Sequence, residues 1–164
     1  MISKTMQDAI CDQIQAELYS SYLYLSMAAH FEAASLPGFA KWMRIQADEE
    51  RGHAMKFFDY VLDRGGKVTL KAIEAPPAEF GEPLAIFEDV YKHEQLVTSL
   101  IHKLYAAALK ENDYASQIML QWFVSEQVEE EKNASAIIDT LKMMEDRKTG
   151  LVNIDHRIGK RGED

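Results

Sequence analysis

The sequence is poor in residues that cross-link or interrupt a chain. Of 164 residues only Cys11 is a cysteine, which excludes an internal disulfide and any thiolate metal cluster within the chain. No apolar run is long enough to cross a bilayer, so no membrane association is expected. The opening stretch MISKTMQDAICDQ has none of the apolar centre of a secretory signal, and a cytoplasmic protein is the expectation. Lys and Arg number 18 against 27 Asp and Glu. The resulting net charge of -9 argues against nucleic acid as a partner and suits a solvated acidic surface or the handling of cations.

What remains is long and helix-forming. Apolar residues make up 47% of the chain, enough for one domain over 1–164 with a substantial core. Turn signals gather at Ser35-Leu36-Pro37-Gly38, at Gly65-Gly66, from Pro76-Pro77 to Gly81 and Pro83, at Asn112-Asp113 and at Gly150. Between them, segments rich in Ala, Leu, Glu, Lys, Gln and Met predict helices at about 4–34, 38–64, 83–111 and 113–146. A short C-terminal fifth helix is expected at about 151–160. The first and third connections are short and make antiparallel hairpins. The stretch 66–82 could span roughly 56–61 Å if extended, enough to return along a bundle about 40 Å long. The expected fold is therefore all-α: a four-helix bundle with one long crossover between helices 2 and 3.

Acidic residues occupy unexpected places in these helices. Glu17, Glu50 and His53 are separated by 33 and then 3 positions, and Glu94, Gln127 and Glu130 repeat that spacing 77 positions later. Glu49 and Glu126 are related by the same shift. At roughly 100° per residue, Glu50 and His53 share a stripe with Phe39, Trp42, Gln46, Phe57 and Tyr60, with Glu49 at its edge. Glu94 shares one with Phe87, Val90, Val97, Ile101 and Tyr105. In the fourth helix, Glu126 and Glu130 are expected on the apolar stripe of Met119, Ile137 and Leu141, with Gln127 and Glu129 flanking it. Glu17 and Tyr24 are placed at the margin of the Ile10/Ile14/Leu18/Leu25 face.

Taken singly, each feature has an ordinary explanation. An acidic run such as Glu129-Glu130-Glu131 is usually a solvated face, and an isolated His53 would serve as a hydrogen-bonded core histidine. Matched spacing on four helices is harder to explain that way. Burying an unpaired carboxylate costs several kcal/mol, and four would rival the roughly 5–15 kcal/mol that stabilises a domain. No buried Lys or Arg stripe is available to pair them, whereas two divalent cations would cancel Glu17, Glu50, Glu94 and Glu130. Carboxylate and imidazole donors without thiolate suit Fe(II), Mn(II) or Zn(II).

The stretches QIQAELYSSYLYLSMAAHF, ADEERGHAMKF, VYKHEQLVTSLI and QWFVSEQVEEEKN carry a family resemblance along the whole chain. It resembles the non-haem ferritins of bacteria and archaea, in the ferritin-like di-iron superfamily. The resemblance implies that Glu17, Glu50 and His53 hold one iron and that Glu50 bridges to a second, held by Glu94 and Glu130 with Gln127 nearby. It also implies a third iron position at Glu49, Glu126 and Glu129, sharing Glu130, and an auxiliary hydrogen-bonding or electron-donating role for Tyr24. The substrates would be Fe(II) and O2, the function iron storage by a ferroxidase, and the partner the chain itself, in a hollow shell of about 24 subunits. Bacterioferritins repeat Glu-x-x-His in the fourth helix and place a haem-binding methionine after the second-helix glutamate. Here Gln127-x-x-Glu130 and Arg51 occupy those positions, so no haem is expected. The alternatives are a di-iron oxygenase or peroxidase acting on a small molecule, and a structural bundle that binds no metal.

Overall fold

The computed structural model describes residues 1–144 and 147–162. Five helices follow one another: α1 (Lys4–Ala33), α2 (Pro37–Asp63), α3 (Pro83–Lys110), α4 (Tyr114–Lys142) and α5 (Arg147–Ile158). There is no strand among the described residues. The chain is all-α, and the bounds of α1 to α3 fall within a residue of those expected. The fourth helix stops at Lys142, earlier than expected, and the fifth begins sooner, at Arg147; residues 145–146 lie outside the described residues.

Local chemistry sets these ends. The Ser3 hydroxyl accepts the Met6 N–H at 3.1 Å, satisfying one free donor at the start of α1. Asp113 does the same for Ser116 at the start of α4, at 3.1 Å. Pro37 and Pro83 open α2 and α3, where a missing N–H removes no helical bond. Ser35 and Asn112 adopt positive φ, 60° and 54°, to turn the two hairpins.

α1 packs along α2, α3 along α4, and α1 also lies against α3. The crossover runs up the outside of α1. The Lys67 N–H donates to Gln7 Oε1 at 2.9 Å, Thr69 N–H to Cys11 Sγ at 3.5 Å, Gln15 Nε2 to the Ala72 carbonyl and Ser26 Oγ to the Pro77 carbonyl, both at 2.5 Å. Because crossover and α1 advance together, α3 starts at the end where α2 starts, and the two are parallel. Arg64, at the end of α2, donates to both Asp113 oxygens at 3.0 and 3.3 Å, tying that end to the start of α4.

The core has two parts. One holds Tyr24, Met27, Phe31, Phe39, Trp42, Phe87 and Val90; the other holds Ile10, Ile14, Phe57, Val61, Ile101, Leu120 and Phe123. On each long helix the inward glutamate falls between them, as Glu94 does between Val90 and Val97.

Two facing assignments need correction. Leu25 does not belong to the inner face of α1: it is 48% exposed, beside the equally exposed Tyr22, whereas Tyr24 is fully buried. On α4 the inward line is Leu120, Phe123, Gln127, Glu130, Ala134, Ile138 and Leu141, so Gln127 points inward and Glu126 takes the flank. The α4 surface is apolar around much of its girth, with Ile118, Trp122 and Val128 all exposed, and periodicity alone does not single out the inward azimuth.

α5 docks across the start of α2. Leu36, the N-cap residue of α2, makes no side-chain cap; Asp155 supplies one, accepting the Phe39 N–H at 2.8 Å. Gly38 permits this approach, since a Cβ there would lie 1.8 Å from the Asp155 carbonyl oxygen. Gly38→Ala should therefore push α5 off α2 and destabilise the fold by roughly 1–3 kcal/mol. The expected outcome is a lower Tm and faster tryptic cleavage after Arg157; unchanged values would mean the contact carries little stability.

Candidate metal centre

Four helices each bring one glutamate to the same layer: Glu17 from α1, Glu50 from α2, Glu94 from α3 and Glu130 from α4, all at most 5% exposed. Glu50 and His53, one turn apart on α2, share a face, and α1 packs against α2 along its length. Ligand atoms of Glu17, Glu50 and His53 consequently lie within 4.8 Å of one another, and those of His53, Glu126 and Glu130 form a second such group. Each group could hold a metal ion. Glu94 falls in neither group. It is held on the far side by the Tyr24 hydroxyl, which donates to its Oε1, and by Gln127 Nε2, 3.2 Å from its Oε2.

Three buried amides serve this layer. Gln13 Nε2 donates to Glu17 Oε1 at 2.8 Å. Gln46 Nε2 donates to Glu50 Oε1 at 3.0 Å and to Glu130 Oε2 at 2.9 Å, joining α2 to α4. Gln127 spans α4 to α3. Neither Gln13 nor Gln46 is singled out by sequence reasoning about ligands. The signal was present, since both stand four residues before a buried glutamate and therefore on the same helix face.

The electrostatics are those of a site short of positive charge. Burial pushes the Glu17 carboxyl well above its ordinary value, with the Glu50 charge adding to the effect. Its Oε2 has no hydrogen-bond partner among the described residues. Burial, reinforced by Glu50, raises Glu94 to about 8. Glu130 is likewise raised to about 8 by burial and by the charges of Glu94 and Glu50. Glu50 is the exception: burial pushes it up, but His53, with hydrogen bonds including that from Gln46, outweighs burial and keeps it ionised. Burial lowers His53, yet Glu50, Glu130 and Glu126 leave it raised overall. Tyr24 is held strongly protonated by burial and by the Glu94 charge, which keeps it a donor. An aromatic wall of Trp122 and Phe123 closes the His53 side, with ring centroids 5.4 and 5.9 Å from the imidazole.

The flanking carboxylates are wetter. The Glu126 side chain is 28% exposed, with Oε1 3.8 Å from His53 Nε2. Glu49 and Glu129 are exposed. Burial raises Glu49 despite the opposing charge of Arg161, and neither Glu49 nor Glu129 belongs to either ligand group.

These shifts have a sign. Glu94 and Glu130 keep protons when folded up to about 8, whereas an unfolded chain releases them near 4.5. Their protonation therefore favours the fold below that lower value, and the contribution is lost as pH rises through about 8. A divalent cation bound at these carboxyls would displace the protons. The gain in Tm from added Mn(II), relative to chelator-treated protein, should grow between about pH 5 and 8, and calorimetry at pH 7 should show protons released as the ion binds. A pH-independent gain without proton release would show that these carboxyls do not receive the ion.

The family described as Ferritin-like domain matches residues 7–144. A bacterial non-heme ferritin of Bacteroides fragilis is 45% identical over 161 residues, covering 98% of this chain and all of that one. A probable bacterial non-heme ferritin-like protein of Haemophilus influenzae is 38% identical, covering 97% and 96% of the two chains. Among solved structures, a novel open pore ferritin from the hyperthermophilic archaeon Archaeoglobus fulgidus aligns with a TM-score of 0.96 and 49% identity, over 98% of this chain and 99% of that one. Because the family match runs through all four helices that aim a glutamate inward, the chain belongs to the ferritin family.

Proposed function

We propose that the protein stores iron, oxidising Fe(II) with O2 at a paired site inside each subunit and passing Fe(III) to a mineral held within a homo-oligomeric shell. The observation that carries this reading is the Glu17–Glu50–His53 group, whose ligand atoms lie within 4.8 Å and include an orphaned carboxylate oxygen. Glu17, Glu50 and His53 take one Fe(II); Glu50 bridges to a second held by Glu94 and Glu130. Glu50, already ionised, is the natural first ligand, while Glu94 and Glu130 give up protons as the pair fills. Gln127 and Tyr24 hold the Glu94 carboxylate in orientation.

Each Fe(II) gives one electron, and the pair reduces one O2 to the peroxide level. Hydrolysis of the Fe(III) product releases protons and yields ferric oxyhydroxide for the store. Glu49, Glu126 and Glu129, together with Glu130, form a third position on the way outward, and their partial exposure suits ions that must leave. The layer itself is buried, which favours ions and O2 over an organic substrate as its occupants. Among the described residues no helix is long and apolar enough to cross a membrane. The resemblance to ferritins supports a cytoplasmic protein without haem, in a shell of about 24 subunits.

Glu130→Ala should lose most of the rapid phase of Fe(II) oxidation, at least about ten-fold, while the oligomer still forms; stopped-flow absorbance with size-exclusion chromatography checks both. Oxidation at the wild-type rate would remove Glu130 from the site. Aerobic loading far above two Fe(II) per chain should give iron that sediments with protein as one very large particle. Saturation at two or three irons on a small oligomer would instead favour a di-iron oxygenase or peroxidase.

A further inference from the structure

The C-terminal basic segment has no role in the reading above, yet it reaches the metal centre. Beyond α5 the chain turns back along α2: Gly159 lies against Gly38, and Gly162 lies beside Ile45. Arg161 is thereby delivered to the middle of α2. Its guanidinium sits 4.5 Å over the Trp42 ring; Nη1 donates to Gln46 Oε1 at 2.9 Å, and Nη2 pairs with Glu49 Oε2. Its side chain is only 22% exposed. Guanidinium stays charged at any physiological pH, and its planar fork can serve two acceptors at once.

Both acceptors matter to iron. Gln46 has one oxygen and one NH2 group, and with the oxygen taken by Arg161 the NH2 is directed at Glu50 Oε1 and Glu130 Oε2. Reversing that amide would set an oxygen, in place of a donor, against the Glu50 carboxylate. Arg161 therefore aims a donor at the inner pair through Gln46, and in the same stroke it neutralises Glu49 in the third position.

We propose that Arg161 is a resident counter-cation of the third iron position: it ties down Glu49 and orients Gln46, so that a third divalent ion binds through Glu49 only by displacing the guanidinium. This rests on the site assigned under Proposed function. The clamp that positions it is built in, since the Asp155 cap on α2 and the Gly38–Gly159 approach fix where the segment leaves α5. The C-terminal segment thus sets the affinity of the outermost position relative to the inner pair. Arg161 is a positioning residue and is assigned no contact with O2.

Anaerobic Fe(II) isotherms of the assembled wild type, R161Q, R161K and the double variant E49Q/R161Q test this. In R161Q the third ion should bind about five-fold more tightly relative to the first two, the size expected for losing one competing, partly exposed ion pair. R161K keeps the charge but loses the fork that serves Gln46 and Glu49 together, so it should fall between wild type and R161Q. The gain should vanish in E49Q/R161Q. Superimposable wild-type and R161Q isotherms would overturn the proposal, as would a gain that survives loss of the Glu49 charge. The absence of a third ion from every protein, with the first two still bound, also overturns it and leaves the paired site standing. If wild type binds no pair at all, the site assignment itself fails and the proposal with it.

Discussion

Four carboxylates buried in one layer of a helix bundle impose the condition that the rest of the structure meets. In so apolar a setting a full set of unpaired charges would cost more than the fold can supply. The protein meets this in three ways. Glu17, Glu94 and Glu130 have raised proton affinity; Glu50 is left ionised against His53; and Gln13, Gln46 and Gln127 direct amide donors at the carboxylates. The same poor solvation that makes the layer hold protons makes it attractive to divalent cations, which bring more charge than the protons they replace. Stability and function draw on one electrostatic fact.

The bundle makes such a layer tolerable. Two apolar clusters, one around Phe31, Phe39 and Phe87 and the other around Phe57, Leu120 and Phe123, close the helices above and below it. Long helices hold each glutamate on a rigid element, so none depends on a loop for its position. The crossover along α1 makes the two hairpins run in the sense that sets Glu17 and Glu50 opposite Glu94 and Glu130. At the edge the solvent returns, and there Arg161 adds a cation beside Glu49.

Much of this was readable because helix periodicity and buried charge are both strong signals. The helical period placed Glu50, Glu94 and Glu130 on inward stripes and Glu17 at the margin of one, and all four are buried. The rotation of α4 was less readable. Met119 and Ile137 suggested an inward line through Glu126, yet contacts with neighbouring helices turn Gln127 inward. Leu25 misled in the same way, because an apolar side chain in sequence does not say which neighbour it meets. Gln13 and Gln46 went unassigned although their spacing to glutamate was visible, since a glutamine acquires meaning only once its partner is known to be buried.

By itself the sequence determined the helices, their order, the need for a crossover and the glutamates aimed inward, because these follow from local propensity and from periods within single segments. Only the tertiary structure decided which carboxylates come together, which glutamine serves which carboxylate, and that Asp155 caps a helix begun 118 residues earlier. It also decided that Arg161 ends beside Glu49, 112 residues away in the chain. Such pairings depend on how whole helices dock, and no local period encodes a distance between groups that far apart along the chain.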